Sequence, residues 1–394
     1  MSWRYLKIED FCNTGSGGTP SKSKSEYYEG GVIPWIKSGD LKDSIIYEAN
    51  EYITTVGLEN SSAKIVEKDS ILIAMYGATV GRLAILGINA ATNQAICNIR
   101  PDTTIANMKY LYYFLKSKFG YFVENAVGGA QPNISQGLIK SLEVPLPSLI
   151  EQRRIADILD KAAGIRQKRE QAIKLADDFL RAAFLEMFGD PVENPMGWDV
   201  ASLLEYGSFK NGLNFTKGES GTAMKCLGVG DFKSRATITR MDNIGEIELD
   251  NIPPDDYFLK DGDIVFVRSN GNKALVGRCL TVYPKKVEVT FSGFCIRYRL
   301  ENPAIIPDYL NFLFRTPSMK QQMLSGGQGA NIQNISQGTL SALRIPIPPL
   351  EKQLAFTRLV NFHGSLVKKQ EDKVTELVKF FDALASGLLI FNKL

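Results

Sequence analysis

The pentapeptide Asn-Ile-Ser-Gln-Gly stands at residues 133–137 and again at residues 334–338, and each time it opens a much longer match. At an offset of 334 − 133 = 201, NISQGLIKSLEVPLPSLIEQRRIADIL lies over NISQGTLSALRIPIPPLEKQLAFTRLV, pairing Pro145 with Pro346, Pro147 with Pro348, Leu149 with Leu350 and Gln152 with Gln353. Upstream, KYLYYFLKS from Lys109 resembles DYLNFLFRT from Asp308, Val80–Arg82 recurs at Val276–Arg278, and Ser38–Leu41 faces Val229–Phe232. The landmarks keep their order while the offset drifts from 229 − 38 = 191 to 201. Two homologous domains with different loops produce this pattern.

Each copy ends in a long helical signal. From Ile155, apolar residues fall at Ile158, Ala162, Ile165, Ala172, Ala176, Phe179, Ala183 and Met187, spaced by threes and fours with Arg169 as the break. Pro147 before the stripe and Gly189-Asp190-Pro191 after it bound a helix over residues 151–188, roughly 57 Å long at about 1.5 Å per residue. The second copy puts Phe356, Leu359, His363, Leu366, Leu377, Phe380 and Leu384 at the corresponding places. Read as a seam, the two stripes predict Ile155, Ile158, Ile165, Phe179, Phe356, Leu359, Leu366 and Phe380 as coiled-coil and partner-facing residues. The expected organisation is a dumbbell: a domain over residues 1–149, a spacer helix over 150–190, a second domain over 191–349, and a helix over 350–394 that returns antiparallel along the first.

The domains read as mixed. Ser70–Tyr76, Ala95–Pro101, Asp263–Ser269 and Phe294–Leu300 are β-branched and aromatic, separated by Gly and Asn turns. The aromatic segment from Lys109 and its counterpart from Asp308 are the helices. The expected class is α+β, two homologous mixed α/β domains with a curved or barrel-like sheet, related by a pseudo-twofold.

Catalytic chemistry finds little to stand on. His363 is the only histidine and falls on the seam, which removes a Ser-His-Asp triad and a multi-histidine metal site. The five cysteines are odd in number and without a CxxC pair, so they read as small buried hydrophobes. The Gly-rich stretches lack phosphate-loop spacing, and no strand-then-GxGxxG unit opens a helix. Asn251-Ile-Pro-Pro-Asp-Asp256 superficially resembles the NPPY-type motif of adenine methyltransferases, but Ile252 splits it and it reads as a turn. Forty-six Lys and Arg against forty-three Asp and Glu leave +3, which permits nucleic-acid binding without demanding it. The start has no apolar leader and no run is long enough for a membrane span, so the expectation is a cytoplasmic protein without a metal or cofactor of its own.

Binding-type loops remain. Gly17–Leu41 combines glycines and hydroxyls with Lys22, Lys24, Lys37 and Trp35, a mixture suited to phosphates and base edges or, equally, a surface loop packed by Trp35. Arg268, Asn270, Asn272, Lys273 and Arg278 can make bidentate groove contacts or form a hairpin turn. Arg82 in the first domain and Lys217 in the second are further candidate DNA contacts. Asn133 or Ser135 can cap a helix, or its amides can hold a phosphate.

GGTPS followed by IPWI and GD, then NISQG and the Pro-rich strand and helix, with the whole unit repeated, resembles the specificity (S) subunit of bacterial and archaeal type I restriction-modification enzymes. That resemblance implies a non-catalytic subunit whose two target recognition domains each read half of a split double-stranded DNA sequence. It also implies a two-helix spacer that docks two methyltransferase (M) subunits, which recruit the restriction (R) subunits. S-adenosylmethionine, ATP and Mg would then belong to those partners. The competing classes are a self-sufficient nuclease or methyltransferase with fused recognition domains, and a coiled-coil scaffold that binds only protein.

Overall fold

The computed structural model describes residues 3–129, 131–216, 220–232, 236–325 and 334–390, with 378 and 380–390 by their backbone alone. The chain divides into two units, Met1–Arg169 with Asp372–Leu394, and Glu170–Glu371. Four main helices organise them: α1 (Met108–Ser117), α2 (Leu149–Phe188), α3 (Pro307–Phe314) and α4 (Leu350–Ile390).

In the first unit a five-stranded sheet runs in the order Cys12–Ser16, Ile96–Pro101, Ile71–Ala74, Leu83–Leu86, Ile45–Ile46. Alternate side chains leave its two faces. Ile71, Ile73, Leu83, Ile85, Cys97 and Ile99 pack on α1 and the start of α2, whereas Leu72, Ala74, Ala84, Leu86 and Ile96 pack on Ile36, Leu41, Ile46, Val66 and Ala90. Both faces are dry, and this explains why Ser70–Tyr76 reads as one apolar run rather than an alternation. A second, four-stranded sheet orders Glu51–Ile53, Ile33–Ile36, Ala90–Thr92, Ile65–Val66.

The second unit repeats the plan. Its five-stranded sheet orders Gly207–Asn211, Cys295–Leu300, Asp263–Val267, Cys279–Val282, Thr237–Ile238. Ile264, Phe266, Cys279, Ile296 and Tyr298 face α3, while Val265, Val267, Leu280, Val282 and Cys295 face Leu227, Val289 and Phe291. In both units the last strand pairs parallel and the others antiparallel. Each unit also has a two-stranded ribbon that leads into its long helix, Arg4–Lys7 with Glu143–Leu146 and Val200–Ser202 with Arg344–Pro346.

One glutamine anchors each long helix. The Gln152 amide, buried in the first turn of α2, accepts from the Asn107 N–H at 2.8 Å and donates to the carbonyls of Ile105 and Pro147 at 3.1 and 2.9 Å. Gln353 does the same in α4, accepting from Ile306 N–H at 2.9 Å and donating to Ala304 and Pro348 at 3.0 and 2.8 Å. Tyrosine hydroxyls reinforce both joints: Tyr110 donates to Pro145 O and Tyr309 to Pro346 O, at 2.5 and 2.7 Å.

The helix seam differs from the sequence expectation. Ile155 and Phe356 are buried, each in the core of its own unit, and Ile158 and Leu359 are half-buried. Ile165, Leu366 and Phe179 are exposed, Phe179 to 66%, and the Phe380 side chain lies outside the described residues. Ala162 of the expected stripe is buried, but Leu159 in the first unit's core and Leu180, Phe184 and Phe188 in the second unit's are buried in place of Ile158, Phe179, Ala183 and Met187, each one residue further on, or about 100° around the helix. Two apolar stripes lie side by side on α2, and packing against the globular core chooses between them.

In the second unit, Phe184 and Phe188 join Tyr309 and Phe312 of α3 and Phe356 of α4, with ring centroids 4.8–6.3 Å apart. Phe184 meets Phe356 while Asp177 lies 2.9 Å from His363, so the two helices run antiparallel here. In the first unit Arg169 of α2 shares a shallow groove with Lys373, Glu376 and Leu377 of α4. His363 is thus a seam residue, as expected.

Replacing the clamp tests its weight. Gln353→Leu keeps the volume but takes their partner from three backbone groups, one buried and two part-buried, so a loss of about 1–3 kcal/mol is expected in denaturant titration of the intact chain. Gln152→Leu has the same expected effect in the first unit, and an unchanged transition for both would contradict the clamp.

Candidate nucleic-acid interface

Each five-stranded sheet ends in a rim built the same way. In the first unit Tyr76 forms a backbone bridge with Asn133, Gly77 N–H donates to Pro132 O at 2.8 Å, and Ile134 N–H donates to Met75 O at 2.9 Å. In the second unit Ser269 bridges to Asn334, and Ile335 N–H donates to Arg268 O at 3.0 Å. The repeated pentapeptide is therefore a clasp. Its Asn holds the rim, its Ile is buried, and its Ser caps the following short helix, with Ser135 Oγ accepting from Leu138 N–H and Ser336 Oγ from Thr339 N–H.

The Val-Gly-Arg repeat closes the same turn. Gly81 and Gly277 sit at φ of +80° and +75°, and their N–H groups return to Ala74 O and Val267 O at 2.9 and 3.0 Å. A left-handed backbone favours glycine at both places. Arg82, next in the chain, is exposed, whereas Arg278 is half-buried and its Nε–H donates to Ala274 O at 3.3 Å. The second rim loop is an Asx-rich turn: Asn270 Oδ1 accepts from Asn272 N–H at 2.8 Å and Asn272 Oδ1 from Ala274 N–H at 3.0 Å. Lys273 at its tip is exposed, and Arg268 at its root is half-buried.

The Gly17–Leu41 segment divides into two parts with different roles. Gly17 and Gly18 are buried, and an added Cβ would fall 2.0 Å from Thr92 O and 2.3 Å from the Ala63 backbone. These glycines serve close packing instead of presenting amides to a phosphate. Trp35 is 1% exposed and its Nε1–H donates to Gly18 O at 3.1 Å, so the indole is core and does not reach a base. Lys22 and Lys24 are exposed, with Lys24 Nζ donating to the Tyr27 hydroxyl at 2.9 Å. Lys37 pairs with Glu51 of the edge strand Glu51–Ile53, on the side of Ile33–Ile36 away from Ala90–Thr92, so the structure does not bring it to the rim. The structure brings Arg82 and Asn133 to one rim, and Arg268, Asn270, Asn272, Lys273 and Arg278 to the other. Lys22 and Lys24 stand on a separate loop, and Lys217 lies outside the described residues.

Two exposed aromatics on these rims, Tyr76 and Phe294, escaped the sequence reading. The signal for Tyr76 was present at the head of Tyr-Gly-Ala-Thr-Val-Gly-Arg, where attention fell on the glycines. Nucleophilic thiols play no part: burial pushes Cys97, Cys226 and Cys279 up to about 12. Among the described residues there is no group of three or more His, Cys, Asp or Glu that could hold a metal, and no helix long and apolar enough to cross a membrane.

A family model, the type I restriction modification DNA specificity domain, matches residues 2–175 and 217–376. The chain is similar to the type I restriction enzyme MjaVIII specificity subunit of Methanocaldococcus jannaschii, 23% identical over 96% of this chain and 90% of the relative. It is 25% identical to the StySPI specificity subunit of Salmonella potsdam over 98% of this chain and 87% of the relative. A local match of 33% identity to the EcoR124I/EcoR124II specificity subunit of Escherichia coli spans 37% of each chain. The fold is that of the type I restriction-modification system S subunit from M. genitalium, with a TM-score of 0.55 and 18% identity over 98% of this chain and 96% of that one. A chain from a structure on complex assembly and conformational transition of the type I R-M system gives 0.58 and 17% over 99% and 98%.

Since Trp35 packs inside the first unit, Trp35→Ala should destabilise the chain by about 3–5 kcal/mol. Thermal unfolding checks this, and an unchanged Tm would return the indole to the surface.

Proposed function

The chain belongs to the family of type I restriction modification DNA specificity domains, and from that membership we propose that it is the DNA-reading subunit of a type I restriction-modification complex, each unit reading one half of a bipartite, asymmetric target. The observation that carries this reading is the duplicated rim. The backbone clasp is built the same way in both units, while the side chains beside it differ: Tyr76 and Arg82 on one, Asn270, Lys273 and Phe294 on the other. An exposed Arg can take a guanine edge in bidentate fashion, Asn can take adenine, and Lys meets phosphates. Equal scaffolds with unequal reading groups suit a target whose halves are unequal. A net charge of only +3 makes recognition depend on these local groups instead of a general field.

The long helices complete the proposal. They set the distance between the half-sites and dock two methyltransferase subunits, through which the restriction subunits join. Leu175 and Phe179 on α2 and Phe362 and Leu366 on α4 support this, being large apolar side chains left in solvent on helices of the second unit. Adenine methylation needs an extruded base and S-adenosylmethionine; in this reading that site, with ATP and Mg, belongs to the partners, and this chain is not itself the enzyme.

Sequencing of methylated DNA identifies the target, and the complex assembled with its methyltransferase subunits should retain that duplex in preference to a scrambled one. Arg82→Ala should weaken binding by about 1–3 kcal/mol through one half-site alone, read from duplexes altered in either half. Equal binding of target and scrambled DNA by the wild-type complex would remove the reading.

Helix length is testable separately. Four residues inserted in both α2 and α4 add about 6 Å at about 1.5 Å per residue, against about 3.4 Å per base pair. The methylated sites should then carry a spacer one or two base pairs longer, and an unchanged spacer would sink the ruler.

A further inference from the structure

Each rim presents an aromatic ring to solvent directly beside the clasp, and the two rings come from non-equivalent positions; Phe119, 48% exposed against Gly81, and Phe215, 38% exposed, stand further along the same turns. Tyr76 is 46% exposed and Phe294 is 61% exposed. In the sheets Ala74 pairs with Ile96 and Val267 with Cys295, so the strands of the two units can be superposed residue by residue. On that register Tyr76 corresponds to Ser269, and Phe294 corresponds to Ala95. The hydrogen bonds agree: Met75 N–H donates to Ala95 O at 2.7 Å, and Arg268 N–H donates to Phe294 O at 2.8 Å. A ring missing at one position of the rim is thus supplied by the neighbouring strand connection.

Isolated exposed apolar residues need no explanation. Here, however, a ring stands on the strand ends that form the clasp in each unit, although its sequence position has moved. Both rings stand on a fixed backbone. Tyr76 is held by its bridge to Asn133 and by Thr79 Oγ1, which donates to its carbonyl at 3.0 Å. Phe294 is held by Arg268 and by Ser292 Oγ, which accepts from its N–H at 3.3 Å. A ring placed in advance loses little conformational entropy when it meets a ligand. On the same rim stand Arg82 and Asn133 in one unit, Arg268 and Lys273 in the other. An exposed aromatic face with cationic and amide side chains on its rim has the chemistry for a nucleic-acid base, whose π-face it can stack on while the cations meet phosphates.

We propose that Tyr76 and Phe294 are stacking wedges, one per unit, each set against a base step of its half-site. This rests on the DNA-reading function proposed above. Insertion beside a step unstacks it and marks the place where the duplex is deformed. It adds specificity through the ease with which a given step opens, at positions where no hydrogen bond is made to a base edge. The two halves would differ in kind, since Tyr76 brings a hydroxyl and Phe294 does not.

The test uses the complex assembled with its methyltransferase subunits and duplexes carrying 2-aminopurine at successive positions of each half-site. Wild-type binding should brighten the probe at one step per half-site. Tyr76→Ala should abolish the signal in one half only, and Phe294→Ala in the other. Each should weaken target binding by about 5- to 150-fold, the range of one stacked base. Tyr76→Phe keeps the ring and should keep the signal. Both side chains are exposed, so thermal unfolding of the alanine variants should match wild type. An unchanged fluorescence pattern in the alanine variants overturns the wedge whatever happens to affinity. In that case the DNA-reading function still stands if the wild-type complex prefers target to scrambled DNA; if it shows no preference, both proposals fall.

Discussion

The direction in which each long helix leaves its unit depends on one buried glutamine amide. From the first turn of a long helix, Gln152 and Gln353 each join three backbone groups, two at the entry to the unit's own helix and one just after the Pro-rich strand. Only an amide suits the place, because it offers an acceptor and two donors on one short stem. Glutamate lacks the donors, and an aliphatic residue leaves all three groups without this partner. The leverage is large. A helix of 40 residues is roughly 60 Å long at about 1.5 Å per residue, so a tilt of about 5° at its root moves the far end by about 5 Å. The restraint at the root is a hydrogen-bonded joint with a tyrosine beside it, which is what the proposed measuring role of the helices would require.

The rims use the same economy of means. A short antiparallel bridge from Asn133 or Asn334 fixes the end of a central strand, and the adjacent Ser and Ile tie that bridge to the domain's core. Nothing in the bridge depends on the outward side chains. They can change, and Tyr76 against Ser269 or Ala95 against Phe294 shows that they have, while the stage stays put. Such a separation lets recognition vary without disturbing the fold.

Much of this was legible in the chain. The repeat announced two related units, the β-branched and aromatic runs announced strands, and the helical pattern after each Pro-rich strand announced α2 and α4. The misreadings share one cause. Trp35 and the glycines at 17 and 18 look like a binding loop because their composition is that of one, but their neighbours are Thr92 and Ala63, distant in sequence. The seam was displaced by one residue because a period near three and a half cannot distinguish adjacent stripes when Ile158, Leu159, Phe179 and Leu180 are all apolar. Only the core that α2 docks against makes Leu159 and Leu180 the buried pair. The exposed rings were missed because exposure is a property of neighbours, and a tyrosine in a glycine-rich turn carries no local mark of it.

By itself the sequence determined what local chemistry and repetition can determine: two copies, their order of strands and helices, the absence of a histidine-based site, and a family likeness carried by the repeated unit. Periodicity and turn chemistry are encoded over a few residues, and they survive without knowledge of contacts. The tertiary structure decided which stripe is inside, which glycines pack, and which amide locks the helix root. It also decided that Tyr76 and Phe294, from different strand connections, are each exposed beside the clasp of their own unit. Those are outcomes of long-range pairing, where a residue's role is set by the atoms the fold brings to it, many of them scores of residues away.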